Sequence, residues 1–484
     1  MKKIAIRSLV RNYCVLVFGE VVARSLTFVT FAYLARTLGP ADFGVIEFCF
    51  AHALILYFMV DFGVGVLGPR EVAQRPDEIK GITQQMLSIR FWSMVSSLLL
   101  LVCYVMLSPQ PWAVKSLLLL FGVSLVPVPY QFQWVFLGRN LMHYVSVSQM
   151  VRFGVFAGIV LPTVRDPSGM WIVAAAELAG FLAAAIFSVV CFRLKVGFWP
   201  LSLPVLPAWS TIKHVVPIAL SHFMWLAKYV FATVIVGFLT GLGKDAEEVG
   251  HFGAAVRLIV TMHVFVSLYL RNLLPSVSHA VTKSVEPLRV LLDHAIRASA
   301  WVSLCGTTLL VIMAHQVIRL VYGGEYGESV LILKILVWML PAALVSVHFQ
   351  VTLIATSRQG LELISTAAGA ATTLTLITVL YRRFGLASVA AAMVIGEVIT
   401  LAVSYVFTHL YVLRVRLARC IWPPVAATVA TAALLLAWPS TALWTQGSIM
   451  AVFFALAIAV FDRESLAILR KVIPSSPRQA EHLV

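Results

Sequence analysis

Charge is scarce in this chain: Asp, Glu, Lys and Arg make up 12% of its 484 residues, about half the share of an ordinary soluble domain. Acids are the scarcer sign, 21 against 36 Lys and Arg, for a net charge of +15. With 61% hydrophobic residues and a mean hydropathy of +0.94, this shortage excludes a soluble globular protein. Cysteine is sparse as well. Cys14, Cys49, Cys103, Cys191, Cys305 and Cys420 stand singly, with no CxxC pair and no metal-ligand spacing, so no disulfide framework, metal site or cofactor is expected. They read as small apolar residues in packed helices. Also missing are a long extracytoplasmic loop and, in the first outer loop, any Asp-x-Asp motif or acidic metal cluster, Asp42 being its only acid. These absences argue against a membrane-embedded glycosyltransferase or glycan polymerase. The basic residues are spread between apolar runs rather than gathered with stacking aromatics, which argues against nucleic acid as a partner.

What the chain does have is apolar runs of about 20 residues or more along its whole length, each able to cross a ~30 Å hydrocarbon core as a helix. About 14 such spans are expected, from Asn12–Arg36 and Phe43–Leu67 at the start to Thr445–Phe461 at the end. The fold class is an all-α polytopic membrane protein. Glu20 and Arg24 interrupt the first apolar run before any small-residue cleavage site, so the first helix reads as uncleaved. With the N-terminus inside, loops on the cytoplasmic side hold roughly 21 Lys and Arg against about 7 opposite, as the positive-inside rule requires. Lys2, Lys3, Arg7 and Arg11 at one end, and Arg463, Arg470, Lys471 and Arg478 at the other, put both termini in the cytoplasm.

The chain also repeats itself. Leu38-Gly39 and Gly44 match Leu242-Gly243 and Gly250, and Pro69 matches Pro275. Gly169-x-x-x-Val173-Ala-Ala-Ala176-x-x-x-Gly180 matches Gly385-x-x-x-Val389-Ala-Ala-Ala392-x-x-x-Gly396. Six helices per unit is an even number, which predicts parallel repeats about an axis along the membrane normal, with the substrate site between them. The expected organisation is a six-helix lobe over 1–194, an interfacial linker over 195–210 and a second six-helix lobe over 211–416. Accessory helices 13 and 14 over 417–463 and a cytoplasmic tail over 464–484 complete it. Pro200, Pro204, Pro207, Trp199 and Trp209 mark the linker, since Pro blocks helix continuation and Trp prefers the headgroup level.

A charge at mid-bilayer costs about 2.5–3.5 kcal/mol on insertion scales, so it faces an internal cavity or a partner. Arg24 lies near the centre of the first helix, with Glu20 one turn before it in the order that favours a pair. The pair reads either as a self-neutralising packing element or as a ligand-contacting Arg steered by Glu20. Lys228, 204 residues on, is the repeat equivalent of Arg24 and has no carboxylate within two turns on its own helix. It either snorkels to an interface or joins Arg24 around an anion. Arg257, Thr261, Val264, Leu268 and Arg271 share one helix face, and Arg257 is the third cavity candidate. Glu47 and Asp61 are candidates for counter-ions or for a proton or sodium coupling site. His52, His222 and His263 read as hydrogen-bonded interior residues. Glu177 and Glu397 do not coincide under the repeat. Pro127, Pro129 and Pro341 should bend or break their helices.

The stretch Leu34-Ala-Arg-Thr-Leu-Gly-Pro-Ala-Asp-Phe-Gly44, then Asp61-Phe-Gly63, and Val321-Tyr-Gly-Gly-Glu-Tyr326 resemble the polysaccharide transporter family, the O-antigen-type oligosaccharide flippases of the MATE-like MOP superfamily. The resemblance runs over essentially the whole chain. It implies a flippase that moves an undecaprenyl-diphosphate-linked oligosaccharide to the outer leaflet of a bacterial plasma membrane by alternating access through a cationic central cavity. Membrane lipid, a polysaccharide polymerase and its chain-length machinery are the further partners it implies. By position, Arg24 and Arg257 resemble the cavity arginines of the related lipid II flippases. The alternative is a multidrug or metabolite antiporter of the same superfamily, for which cationic cargo would favour carboxylates over the cations found here; a non-transporting scaffold would leave the buried charges costly without purpose.

Overall fold

The computed structural model describes residues 2–200, 204–207, 209–241, 246–283, 285–437 and 443–461. Among them every regular element is helical. The helices are α1 (Lys2–Asp61), α2 (Val64–Gln74), α3 (Ile79–Leu107), α4 (Trp112–Val123), α5 (Gln133–Gly138), α6 (Met142–Thr163), α7 (Met170–Val196) and α8 (Trp209–Tyr229). They continue with α9 (Phe231–Thr240), α10 (Ala246–Lys283), α11 (Val285–Tyr322), α12 (Ser329–Leu336), α13 (Met339–Ala355), α14 (Gln359–Tyr411), α15 (Leu417–Ala437) and α16 (Leu443–Phe461). Leu242, Gly243 and the basic tail from Arg463 to Arg478 lie outside the described residues, as do the side chains of Lys2, Lys3, Arg7, Arg11, Cys14, His222 and Arg271.

Ten of the described helices are long and apolar enough to cross a membrane, or eleven if the bent pair α8–α9 is one span. Two of them each hold two of the expected spans. α1 turns at Gly39 (φ 75°, ψ 172°) and α14 at Gly385 (φ 60°, ψ −154°), backbone conformations that only glycine adopts without strain. The expected proline breaks fall where the ring meets the carbonyl four residues back. Pro127 ends α4 at Val123, and Pro341 separates α12 from α13 at Val337. The break between α8 and α9 carries no proline: a span expected to be continuous over 214–240 bends by 52° at Val230.

The chain forms two compact units. The first holds the described residues up to Ala254 together with Val321–Tyr326; the second holds Ala255–Leu320 and those from Gly327 on. In the first, α2, α3, α5 and the end of α7 enclose a core of Val64, Met86, Phe132, Trp134, Phe136 and Phe192. In the second, α10, α11 and α13 pack around Val277, Leu292, Ile296 and Phe349, and α16 seats Phe454 against Trp301 with ring centroids 6.0 Å apart.

Within the first unit, Gly44 and Gly250 mark a helix crossing with a reciprocal pattern. A Cβ on Gly44 would lie 1.9 Å from the Ala246 carbonyl oxygen, and one on Gly250 would lie 1.9 Å from that of Pro40. The 206-residue offset of the repeat carries Pro40 onto Ala246 and Gly44 onto Gly250, so each partner makes the other's contact, as across a local two-fold. Glu47 and Gly253, again 206 apart, meet in the same way, the Glu47 Cγ lying 2.7 Å from where a Gly253 Cβ would be. The second repeat motif makes a similar crossing in each unit. Gly180 packs on the Arg152 carbonyl of α6, and Gly396 on the Gly369 carbonyl of α14, a Cβ falling 2.7 Å away in both. Gly250→Ala is expected to destabilise the protein by roughly 1–3 kcal/mol through overpacking, seen as a lowered melting temperature in detergent; an unchanged melt would show that the crossing tolerates a methyl group.

The loop motif of the sequence also reaches this crossing. Tyr326 Oη donates to the Ala35 carbonyl (2.9 Å), Arg36 Nε donates to the Val321 carbonyl (2.9 Å), and Phe43 and His251 contact the Tyr326 ring. Burial, reinforced by the Glu47 charge, pushes the Tyr326 phenol up, so it stays protonated as the donor. The two sequence motifs, nearly 300 residues apart, therefore close one structural knot.

Candidate functional site

Among the described residues of the first unit, three Arg–carboxylate pairs lie within the spanning helices: Glu20–Arg24, Asp61–Arg90 and Arg152–Glu177. Glu20 and Arg24, one turn apart on α1, are joined by Nε to Oε1 at 2.9 Å. Side-chain exposures of 50% for Arg24 and 35% for Glu20 leave the pair open. Among the described residues, Arg24 uses one of its five N–H donors on a protein acceptor, which leaves the rest of the fork open there.

The second pair joins Arg90 of α3 to Asp61 at the end of α1 and is buried. Its geometry follows from the proline break after α4. With the helix interrupted, the Gln131 carbonyl has no intrahelical donor and accepts from Arg90 Nη1 at 2.7 Å, while Phe132 N–H donates to Ser188 Oγ at 2.8 Å. Asp61 Oδ1 takes Arg90 Nη2, and Asp61 Oδ2 accepts from the Gly65 N–H at 3.1 Å. Asp61 is thus the counter-ion of Arg90.

The third pair is Arg152 of α6 with Glu177 of α7, Nη2 to Oε1 at 2.6 Å, with side chains 13% and 2% exposed. Residues 149, 152, 153 and 156 form one stripe along α6. The Arg152 guanidinium lies 3.6 Å from the Phe181 ring centroid, 4.6 Å from Phe153 and 5.8 Å from Tyr57. Tyr57, one turn before Asp61, lies within electrostatic range of Glu20, Asp61, Arg90 and Arg152, so the three pairs form one neighbourhood.

Lys228 is also buried in the first unit, 3% exposed, and does not snorkel to a surface. It occupies the last turn of α8, immediately before the Val230 break, where the C-terminal end of the helix dipole favours a cation, and its ammonium lies 5.5 Å from the Tyr229 ring centroid. Glu47 is buried at the α1–α10 crossing. Arg257 lies in the second unit, half-buried on α10, with Thr261 Oγ1 donating to its carbonyl. His52 Nδ1 pairs with the Phe48 carbonyl at 2.8 Å, as expected of a hydrogen-bonded interior histidine. Glu397 is buried in the second unit.

Arg90 and Arg152 are absent from the residues singled out in the sequence. Arg152 satisfies the criterion that selects Arg24, a charge in the middle of an apolar span, and that signal finds it. Arg90 lies in the first half of α3 behind the polar Gln84, Gln85 and Ser88, which hide its depth in the sequence, and only the packing of α3 on Asp61 reveals its partner.

Residues 9–281 match the family model described as polysaccharide biosynthesis protein. A protein of Escherichia coli strain K12 named "Putative O-antigen transporter" is 23% identical over 344 residues, covering 68% of this chain and 79% of that protein. Among solved structures, lipid II flippase MurJ in its inward closed conformation aligns over 93% of this chain and 99% of its own, with a TM-score of 0.69 at 11% identity. An inward-facing multidrug resistance MATE family transporter of the MOP superfamily aligns over 84% and 98%, with a TM-score of 0.65 at 14% identity. At these identities the two structures speak for a shared fold.

Proposed function

Because the chain belongs to the polysaccharide biosynthesis protein family, we propose that it is a flippase carrying an undecaprenyl-diphosphate-linked oligosaccharide from the inner to the outer leaflet of a bacterial plasma membrane, for O-antigen, capsule or exopolysaccharide synthesis. The observation that supports this most is the open guanidinium of Arg24. A half-exposed Arg with four uncommitted donors inside a spanning helix calls for an anion with several acceptor oxygens, and a diphosphate supplies them. Glu20 holds the Nε edge at 2.9 Å and so steadies the guanidinium. Lys228 supplies a second cation in the same unit, and Arg257 is the candidate cation of the second unit taken by itself. The prenyl tail stays in lipid while the polar head is carried by alternating access, with both termini cytoplasmic. We assign proton or sodium coupling to the buried acids of α1, Glu47 and the Arg90-paired Asp61. A cationic drug, the cargo of the antiporter alternative, would be repelled by the Arg24 fork.

The test is the leaflet distribution of undecaprenyl-diphosphate oligosaccharides in a strain lacking the gene. Accumulation on the cytoplasmic face, cleared when the wild-type gene is restored, is expected. An unchanged distribution in a strain with no second flippase would refute the reading and turn attention to drug efflux.

A further inference from the structure

Beside the Arg152–Glu177 pair, the first unit holds a row of neutral polar groups that the three ion pairs do not use. Gln149, one turn before Arg152 on the same stripe of α6, donates its amide to Gln133 Oε1 at 3.0 Å, and Gln133 in turn donates to Ser148 Oγ at 3.1 Å. The chain of amides is open at one end: the Gln149 Oε1 accepts nothing from the described residues, and it is not among the sealed, unsatisfied atoms of the interior. The Tyr57 hydroxyl, across from Arg152, is in the same condition. Both residues are half-buried. An amide oxygen and a phenol left open inside a membrane-spanning unit are costly unless water or a ligand satisfies them.

The charges nearby decide what kind of ligand. Arg152 is neutralised by Glu177, and Arg90 by Asp61, so this end of the neighbourhood has no net charge to offer an anion. It offers planar amides, a phenol and the edges of aromatic rings. A pyranose matches that set, because each hydroxyl both donates and accepts and the ring carries apolar C–H faces for Tyr57 and Phe153. We infer that Tyr57, Gln133 and Gln149 form a sugar-binding subsite that takes the pyranose nearest the diphosphate, while the anion itself is held elsewhere, at the Arg24 fork. This inference rests on the flippase reading above. It gives the site a basis for selecting among glycans that share one lipid anchor, because a site built to hydrogen-bond a hydroxyl discriminates strongly against a ligand lacking it.

The experiment uses the full chain in lipid nanodiscs and four probes: farnesyl diphosphate alone, and farnesyl diphosphate capped with glucose, galactose or N-acetylglucosamine. At least one capped probe is expected to bind wild type roughly tenfold more tightly than the bare diphosphate, as one or two good hydrogen bonds would give. Gln149→Leu and Tyr57→Phe should each erase that gain and leave the affinity for bare farnesyl diphosphate as it was. Equal binding of all four probes, or a gain that survives in both variants, would overturn the subsite while the flippase reading stands. Binding of none of the four would overturn the flippase reading, and the subsite with it. Unchanged melting temperatures confirm that the variants fold, and the Tyr57→Phe change removes a single oxygen.

Discussion

Glu177→Ala should destabilise the protein by about 3–5 kcal/mol, because it strands the Arg152 cation in a buried site. Glu177 is 2% exposed, and the guanidinium it neutralises sits 3.6 Å from the face of Phe181, with no second carboxylate paired to it among the described residues. The Arg152 Nε and the Glu177 Oε2 are already without partners, so the pair has no reserve hydrogen bonds to fall back on. Arg152→Ala should cost a similar amount by stranding the carboxylate instead. Replacing both together, Arg152→Met with Glu177→Leu, removes the charges as well as the contact and should recover most of the loss. Thermal melting of the three variants in detergent checks this. If Glu177→Ala melts with wild type, the pair is solvated and the burial argument fails.

Arg24→Ala should leave stability nearly untouched yet abolish transport. The Glu20–Arg24 pair is half-exposed, where an ion pair contributes little to folding. Truncating a charge that binds a diphosphate directly costs about 2–5 kcal/mol, or roughly 30-fold to several thousand-fold in affinity. Arg24→Lys should keep part of the activity, since an ammonium supplies charge without the planar fork that engages two oxygens at once. The readout is the accumulation of lipid-linked oligosaccharide on the cytoplasmic face at matched expression. Wild-type clearance by Arg24→Ala would remove that residue from the site and with it the main support for an anionic cargo.

Much of this arrangement is legible in the residues themselves. Hydrophobic runs long enough to span a bilayer announce helices whatever packs around them, and Pro127 and Pro341 break those helices because the ring meets a carbonyl four residues back. The Glu20–Arg24 pair follows from helical spacing alone. The repeat is visible as spaced glycines, and its helix crossings explain the spacing: Gly44 against Ala246 and Gly250 against Pro40 leave no room for a Cβ. The bend at Val230 left no mark in composition, since neither proline nor glycine stands there.

What the sequence by itself determined is everything set by one helix and its solvent: the class of protein, the apolar spans, the proline breaks, and pairs one turn apart. Tertiary structure alone decided which carboxylate meets which cation across helices. Asp61 meets Arg90 because α3 packs against the end of α1, and Glu177 meets Arg152 because α6 packs on α7. The physical reason is that a charge in an apolar span fixes only the need for a partner. Desolvation makes that need large, but the partner's identity depends on which helix face packs opposite, and the chain reaches that face from 25 or 29 residues away.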